Sequence, residues 1–260
     1  MSIRPIAVDR AAGVLLGEAC GDALGVPYEM AAPPVGEAVM KGGGLGPYEP
    51  GEWSDDTQMT LCVARIAARG VDLTSAEGLD AVADAFTAWL DGGATDVGVQ
   101  TRAVLTEAKE LTGASHERLT RASEALHART GLTAGNGALM RTPIVGLSAL
   151  DDRQATAQAA RAIALLTHAD PLAGDSAVLW SEAIRVAVNE GRLDLAAGLD
   201  LVSAANVGRW GDWIEAATGA EPGQVGNNGF TVTALQDAWA AITTTDRGDG
   251  SAMHLSLIHI

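Results

Sequence analysis

The strongest constraint on the fold is an apolar stripe that repeats with helical period. Val8, Ala12, Leu15 and Ala19 recur every three to four residues, and Met59, Cys62, Val63 and Ile66 stand at i, i+3, i+4 and i+7. Val82, Phe86, Trp89 and Leu90 form a third stripe. The same spacing predicts helices over about 98–110, 117–128, 137–149, 153–167, 175–190, 194–204, 210–217 and 229–242. No alternating run rich in β-branched residues and bounded by turns interrupts the pattern. Aromatic residues are only 4% of the chain, and abundant alanine favours close helix packing. Gly13, Gly17 and Gly21 predict a close neighbour along the first helix. The expected fold is all-α: a compact single-domain bundle of roughly ten helices.

A chain of 260 residues can bury a sizeable core. No apolar run approaches the ~20 residues of a membrane span, and the first residues lack the apolar segment of a secretion signal. The formal net charge of −16 argues against a broad nucleic-acid surface, which needs clustered Lys and Arg. Most of that charge reads as solvated surface, but a surplus of carboxylates also suits a divalent-cation site. Cys20 and Cys62 are too far apart for a paired-thiol motif and are expected to be buried free thiols of a cytoplasmic protein.

Two loops break the helical pattern. Residues 31–52 hold Pro33, Pro34, Gly42, Gly43, Gly44, Gly46, Pro47, Pro50 and Gly51. A loop of this length inside a compact domain is usually functional or disordered, and its place between the two segments richest in polar chemistry favours function. Residues 218–229 read as a plain connection.

The strongest local signal is Trp53-Ser54-Asp55-Asp56-Thr57, directly before an amphipathic helix. Ser54 or Asp55 can cap that helix, which is explanation enough for an isolated motif. Two adjacent carboxylates with flanking hydroxyls also place several hard oxygens at one helix end, the donor type that Mg²⁺ or Mn²⁺ takes. Upstream, Gly21-Asp22-Ala23-Leu24-Gly25 ends the first helix, with Gly25 as terminator. Asp22 can orient loop backbone groups, and Glu29 can reach a metal or a bound sugar. Asp96 reads as the N-cap of a helix that contains Thr101. Gly135-Asn136-Gly137 exposes backbone N–H groups before a helix, an anion cradle without the lysine of a P-loop. His168, in Thr167-His168, reads alone as a cap or packing residue, and His116 and His127 as surface residues.

Together these motifs resemble the ADP-ribosylglycohydrolase family, from about Val8 to about Ile242. The matching residues are Gly21–Gly25 with Glu29, Trp53–Thr57, Asp96-Val97-Gly98, Gly135-Asn136-Gly137-Ala138-Leu139-Met140-Arg141, Thr167-His168 and Gly229–Leu235. The resemblance implies an all-α fold around a binuclear Mg²⁺ or Mn²⁺ centre. It implies Ser54, Asp55 and Asp56 as metal ligands and Glu29, Asp56 and Asp96 as catalytic residues. It further implies substrate contacts at Gly135, Asn136, Gly137, Met140, Arg141 and His168, with the glycine loop at the pyrophosphate and His168 on the adenosine side. The implied reaction is hydrolysis of the N- or O-glycosidic bond between ADP-ribose and an acceptor, on a protein or a small molecule; separately, the protein is expected to be a cytoplasmic monomer. A non-catalytic ADP-ribose-binding or structural protein is the alternative on the same fold.

The family carries a second metal half, Asp-x-Asp-Ser/Thr, beyond the helix over 229–242. Asp246 and Asp249 have the wrong spacing for it and are assigned no metal role. The expectation is a family-like domain over residues 1–252 without that motif, with weak metal binding and little activity. Leu255–Ile260 reads as the translated end of a sequencing-library adapter, so residues 253–260 are expected to be a non-native tail.

Overall fold

The computed structural model describes residues 5–31, 34, 36–224, 226 and 228–245. Pro33, Asp246, Asp249 and the tail over 253–260 lie outside the described residues. Ten α-helices follow in order: α1 (Pro5–Gly25), α2 (Asp55–Ala67), α3 (Ala76–Asp91), α4 (Val99–Glu107), α5 (Ser115–Thr130), α6 (Val145–Ser148), α7 (Arg153–Leu165), α8 (Pro171–Glu190), α9 (Val207–Ala217) and α10 (Thr231–Thr244). Among the described residues there is no β-strand, only isolated antiparallel bridges at Gly43–Tyr48 and Gly135–Phe230. The all-α expectation holds, and no described helix is long and apolar enough to cross a membrane.

The central element is α8. The Asp170 side chain caps its first turn by accepting from Leu172 N, Pro171 supplies a preset φ, and Gly191 closes it at φ 74°. Its apolar residues Ala173, Ala177, Val178, Leu179 and Ala183 are all buried, and α1, α6, α7 and α10 pack around it. Polar groups in this helix are therefore paired. Asp175 accepts from Arg161 Nη1 (2.8 Å), Ser203 N (3.0 Å), Ser203 Oγ (2.9 Å) and Asn206 Nδ2 (2.8 Å). Ser176 Oγ meets Thr231 Oγ1 at 2.6 Å and ties α8 to α10.

Two expectations for α1 are corrected by the structure. The stripe of α2 is buried as expected, but in α1 Val8 and Ala12 face solvent, while Ala7, Ala11 and Val14 pack on Ile184 and Val188 of α8. With an apolar fraction this high, two neighbouring faces of α1 look alike in sequence, and only the partner decides between them. Nothing lies within 4 Å of a Cβ built at Gly13 or Gly21, so these glycines do not mark a close crossing. The close crossing falls at Gly146 instead, where an added Cβ would stand 2.5 Å from Ser181 O of α8.

That crossing also explains why 137–149 is not one helix. Residues Asn136–Ala138 form a 3-10 turn and the chain runs through further turns before α6. Pro143 disfavours helical geometry at Thr142, and the bend lets Gly146 lie against α8. The thiols differ from expectation as well. Cys62 is buried and points at Ala85 O (3.7 Å), but Cys20 is exposed.

Candidate active site

The site begins where α1 meets α2. Ser54 is the N-cap residue of α2, yet its side chain makes no capping bond. The cap comes from α1. Asp22 accepts from Ser54 N (2.9 Å to Oδ1, 3.0 Å to Oδ2), Ser54 Oγ (2.6 Å), Thr57 N (2.9 Å) and Thr57 Oγ1 (2.7 Å). One carboxylate thus satisfies two free N–H groups of the first turn and two hydroxyls, and it fixes the direction of the Asp55-Asp56 pair between them. The Ser54 hydroxyl donates to Asp22, which leaves its lone pairs available as a hard oxygen donor.

Glu29 ends the 3-10 turn that follows α1, and Gly25 precedes that turn in right-handed conformation rather than as a left-handed terminator. The loop beyond folds back. Val39 N donates to Tyr28 Oη (3.0 Å), and Gly43 N to Tyr48 O (2.9 Å). Gly44 holds φ 78°, and a Cβ there would stand 2.2 Å from Val26 O. The loop is thereby pinned against the residue three positions before Glu29. From the other side the segment before α4 brings in Asp96. Gly98, not Asp96, is the N-cap of α4, because Asp96 is turned inward and buried.

Glu29, Asp55, Asp56 and Asp96, from three separate segments, share one patch of field. Burial, then the charges of Asp96 and Asp55, push Glu29 up to about 8. Burial, then Asp96 and Asp22, push Asp55 up to about 7. Asp56 is raised well above the usual carboxylate range by burial and then Asp55, and Asp96 is raised by burial despite a hydrogen bond with Glu29. Below them Glu18 accepts from Thr60 Oγ1 and is pushed up to about 8, mainly by burial. Asp96 Oδ2 and Glu18 Oε2 are buried with no hydrogen-bond partner among the described residues. None of these acids forms an ion pair with a basic side chain among the described residues. Such concentrated, uncompensated negative charge is costly to hold and is what functional sites accumulate.

The first turn of α4 joins this patch to the Gly135–Gly137 loop. Thr101 Oγ1 would lie 3.5 Å from a Cβ at Gly137. The loop is tied to the chain before α10: Asn136 N donates to Gly229 O (3.1 Å), Asn136 Nδ2 to Asn228 O (2.9 Å), and Thr231 N to Ala134 O (2.9 Å). The expected anion cradle is corrected in this respect, since the Asn136 N–H is already engaged. Both glycines lie over the His168 ring, and a Cβ at either would come within 3.2 Å of it. His168 is buried beneath the loop, and burial with the Arg141 charge keeps it well below the ordinary histidine range, hence neutral.

Arg141 departs furthest from expectation. It is wholly buried and makes contacts only inside the protein. It donates to Gly137 O (3.0 Å), Ile163 O (3.1 Å) and Thr167 Oγ1 (2.7 Å) and stacks 4.6 Å from the Phe86 ring centroid. Burial pulls its guanidinium down to about 9. Its place is behind the loop as a support, not on the ligand side. Met140 packs half-buried on the core. Sequence reasoning missed the capping role of Asp22, the half-buried Glu18, and Tyr48, whose phenol is pushed up to about 12 by burial first. The signal for Asp22 was an acid at the end of one helix with two hydroxyl residues at the start of the next.

Comparison with known proteins fits this geometry. A family model described as ADP-ribosylglycohydrolase matches residues 4–258. The chain is 34% identical over 186 residues to ADP-ribosyl-[dinitrogen reductase] glycohydrolase of Rhodospirillum rubrum, a stretch covering 67% of this chain and 56% of that protein. It is 43% identical over 70 residues to ADP-ribosylarginine hydrolase Tri1 of Serratia proteamaculans, covering 26% of this chain and 19% of that one. The chain thus spans about half the length of the first relative and a smaller share of the second. A solved structure titled ADP-ribosylglycohydrolase-related protein complex superposes with a TM-score of 0.69 at 26% identity, covering 96% of this chain and 80% of the other.

Proposed function

The chain belongs to the ADP-ribosylglycohydrolase family, and from that premise we propose that it hydrolyses the N- or O-glycosidic bond between ADP-ribose and an acceptor. The observation that carries the reading is the gathering of Glu29, Asp55, Asp56 and Asp96 beside the Gly135–Gly137 loop. A ribose whose leaving group departs develops positive charge at its anomeric carbon, and unpaired carboxylates stabilise that charge. Burial and the charges of Asp96 and Asp55 push Glu29 up to about 8, so its carboxyl can donate a proton to the leaving group. Asp96 Oδ2, which has no partner among the described residues, can accept one from water. The Gly135–Gly137 loop leaves room for a phosphate-bearing ligand, because neither glycine puts a side chain over His168.

The donor chemistry also fits a hard divalent cation, Mg²⁺ or Mn²⁺. Ser54, Asp55 and Asp56 would hold it, and its charge would offset the repulsion that raises their pKa values. Among the described residues no group of three or more His, Cys, Asp or Glu is already arranged for a metal ion, so water would complete the coordination sphere. When bound, such an ion supplies Lewis-acid polarisation of the ribose hydroxyls.

The names of the relatives make ADP-ribosyl-arginine the first acceptor to test. The experiment is release of ADP-ribose from ADP-ribosylated arginine, with Mn²⁺, with Mg²⁺ and with chelator. Slow release that depends on the cation and is lost in Asp55→Asn and Asp96→Asn is expected, in keeping with the weak metal binding and little activity expected of this chain. Binding of ADP-ribose without turnover under any condition would instead favour a non-catalytic binding protein.

A further inference from the structure

Beneath the Gly135–Gly137 loop, a chain of hydrogen bonds ends at a ring nitrogen. Arginine cannot accept a hydrogen bond, so Arg141 Nη2 donates to Thr167 Oγ1 at 2.7 Å. The Thr167 hydroxyl hydrogen then has one acceptor among the described residues, His168 Nδ1, at 2.7 Å. A neutral imidazole that accepts at Nδ1 carries its own hydrogen on Nε2. No hydrogen bond to that Nε2 occurs among the described residues, although His168 is only 3% exposed. The atom faces bare backbone: a Cβ at Gly135 would lie 3.2 Å from it, and one at Gly137 3.3 Å. Gln100 is fixed in the same way. Both its amide hydrogens are engaged, by Thr133 O (3.1 Å) and Thr167 O (2.9 Å), which leaves Oε1 as an acceptor 3.5 Å from the Cβ position at Gly135.

We infer that Arg141 and Thr167 are positioning residues that lock His168 as an uncharged Nε2–H donor, offered to an acceptor oxygen of ADP-ribose seated at the Gly135–Gly137 loop. The identity of the ligand rests on the proposed function; the lock itself does not. The arrangement gives Arg141 a purpose that its full burial otherwise denies it. Its hydrogens orient the hydroxyl, and the hydroxyl selects the tautomer. Gln100 Oε1 beside it supplies the complementary acceptor, so the loop floor reads a ligand by directed hydrogen bonds rather than by charge.

The test uses the full chain with ¹⁵N-labelled histidine. Wild type and Thr167→Ser should show His168 in the Nε2–H form, while Thr167→Val, nearly the same in shape, should show the Nδ1–H form or a mixture. His168→Gln assigns the signal. Calorimetry with ADP-ribose should show Thr167→Val weaker by about tenfold, the worth of roughly one directed hydrogen bond, and Thr167→Ser close to wild type. An Nδ1–H form in the wild type overturns the inference, as does a Thr167→Val protein that keeps both the Nε2–H form and full affinity. If the tautomer shifts as expected but no variant binds ADP-ribose, the proposed function fails and the lock stands.

Discussion

Replacing Asp22 with alanine should destabilise this protein more than the loss of an ordinary helix cap. A conventional N-cap deletion costs about 0.5–2 kcal/mol. Here the lost carboxylate serves Ser54 N, Ser54 Oγ, Thr57 N and Thr57 Oγ1 together, and Asp22, Ser54 and Thr57 are all buried. Two backbone N–H groups left without an acceptor cost about 1–3 kcal/mol each, while the hydroxyls can turn to other partners. An opposing effect reduces the sum. The Asp22 charge helps to raise the pKa of Glu18, Glu29, Asp55, Asp56 and Asp96, so its removal relieves repulsion. The net loss should be about 2–4 kcal/mol, or roughly 4–16 °C in Tm for a domain of this size. Asp22→Asn should lose much less, because its remaining oxygen can keep the Thr57 bonds while its amide donates to Ser54 Oγ and the repulsion is still relieved. Thermal melts in chelator, followed by circular dichroism, measure both. A Tm within about 2 °C of wild type for Asp22→Ala would show that α2 is capped in some other way. Equal losses for the two variants would refute the hydrogen-bond accounting.

Three further outcomes follow from the same structure. Metal-free protein should become less stable as pH rises from about 5 to 8: Glu18, Glu29 and Asp55 are raised in the folded state to about 8, 8 and 7, so the folded chain binds more protons than the unfolded chain in that window. Urea midpoints in chelator should therefore fall with pH, and a rising midpoint would contradict the reading. Gly44→Ala should unseat the 36–52 loop, since φ 78° disfavours a side chain and its Cβ would meet Val26 O at 2.2 Å; faster limited proteolysis in that loop is the readout, with unchanged cleavage as the refuting result. Arg141→Lys should cost about 2–4 kcal/mol, because one ammonium cannot span Gly137 O, Ile163 O and Thr167 Oγ1; denaturant unfolding checks it, and a change under about 0.5 kcal/mol would show that the guanidinium contacts are dispensable.

The helical architecture was legible because period alone carries it. Met59, Cys62, Val63 and Ile66 could be placed on one buried face from spacing, and the structure buries all four. What spacing could not decide was which of two similar faces of α1 meets α8, because Ala7 and Val8 are both apolar and only the position of Ile184 and Val188 separates them. The site shows the same division at closer range. Ser54-Asp55-Asp56-Thr57 was readable as a helix start rich in oxygen donors, a local property. Its cap was not, because Asp22 lies 32 residues before Ser54 and reaches it only through the packing of two helices.

Arg141 illustrates the deeper reason. The resemblance implies Arg141 as a substrate contact, which suits an exposed arginine, since exposed arginine bonds anions well and buried unpaired arginine is expensive. The fold overrides that expectation by surrounding it with carbonyl oxygens and a hydroxyl that would otherwise be buried without donors. These bonds offset only part of the cost, since Arg141 Nε is buried with no hydrogen-bond partner among the described residues. Consequently the acidic patch and the glycine loop are not independent motifs. Asp96 leads into α4, Thr101 and Gln100 of α4 touch the loop, and Gln100 also holds Thr167 O beside His168. A shift of the first turn of α4 would therefore move Asp96 and the glycine loop together, so the two ends of the site are mechanically linked through one helix start.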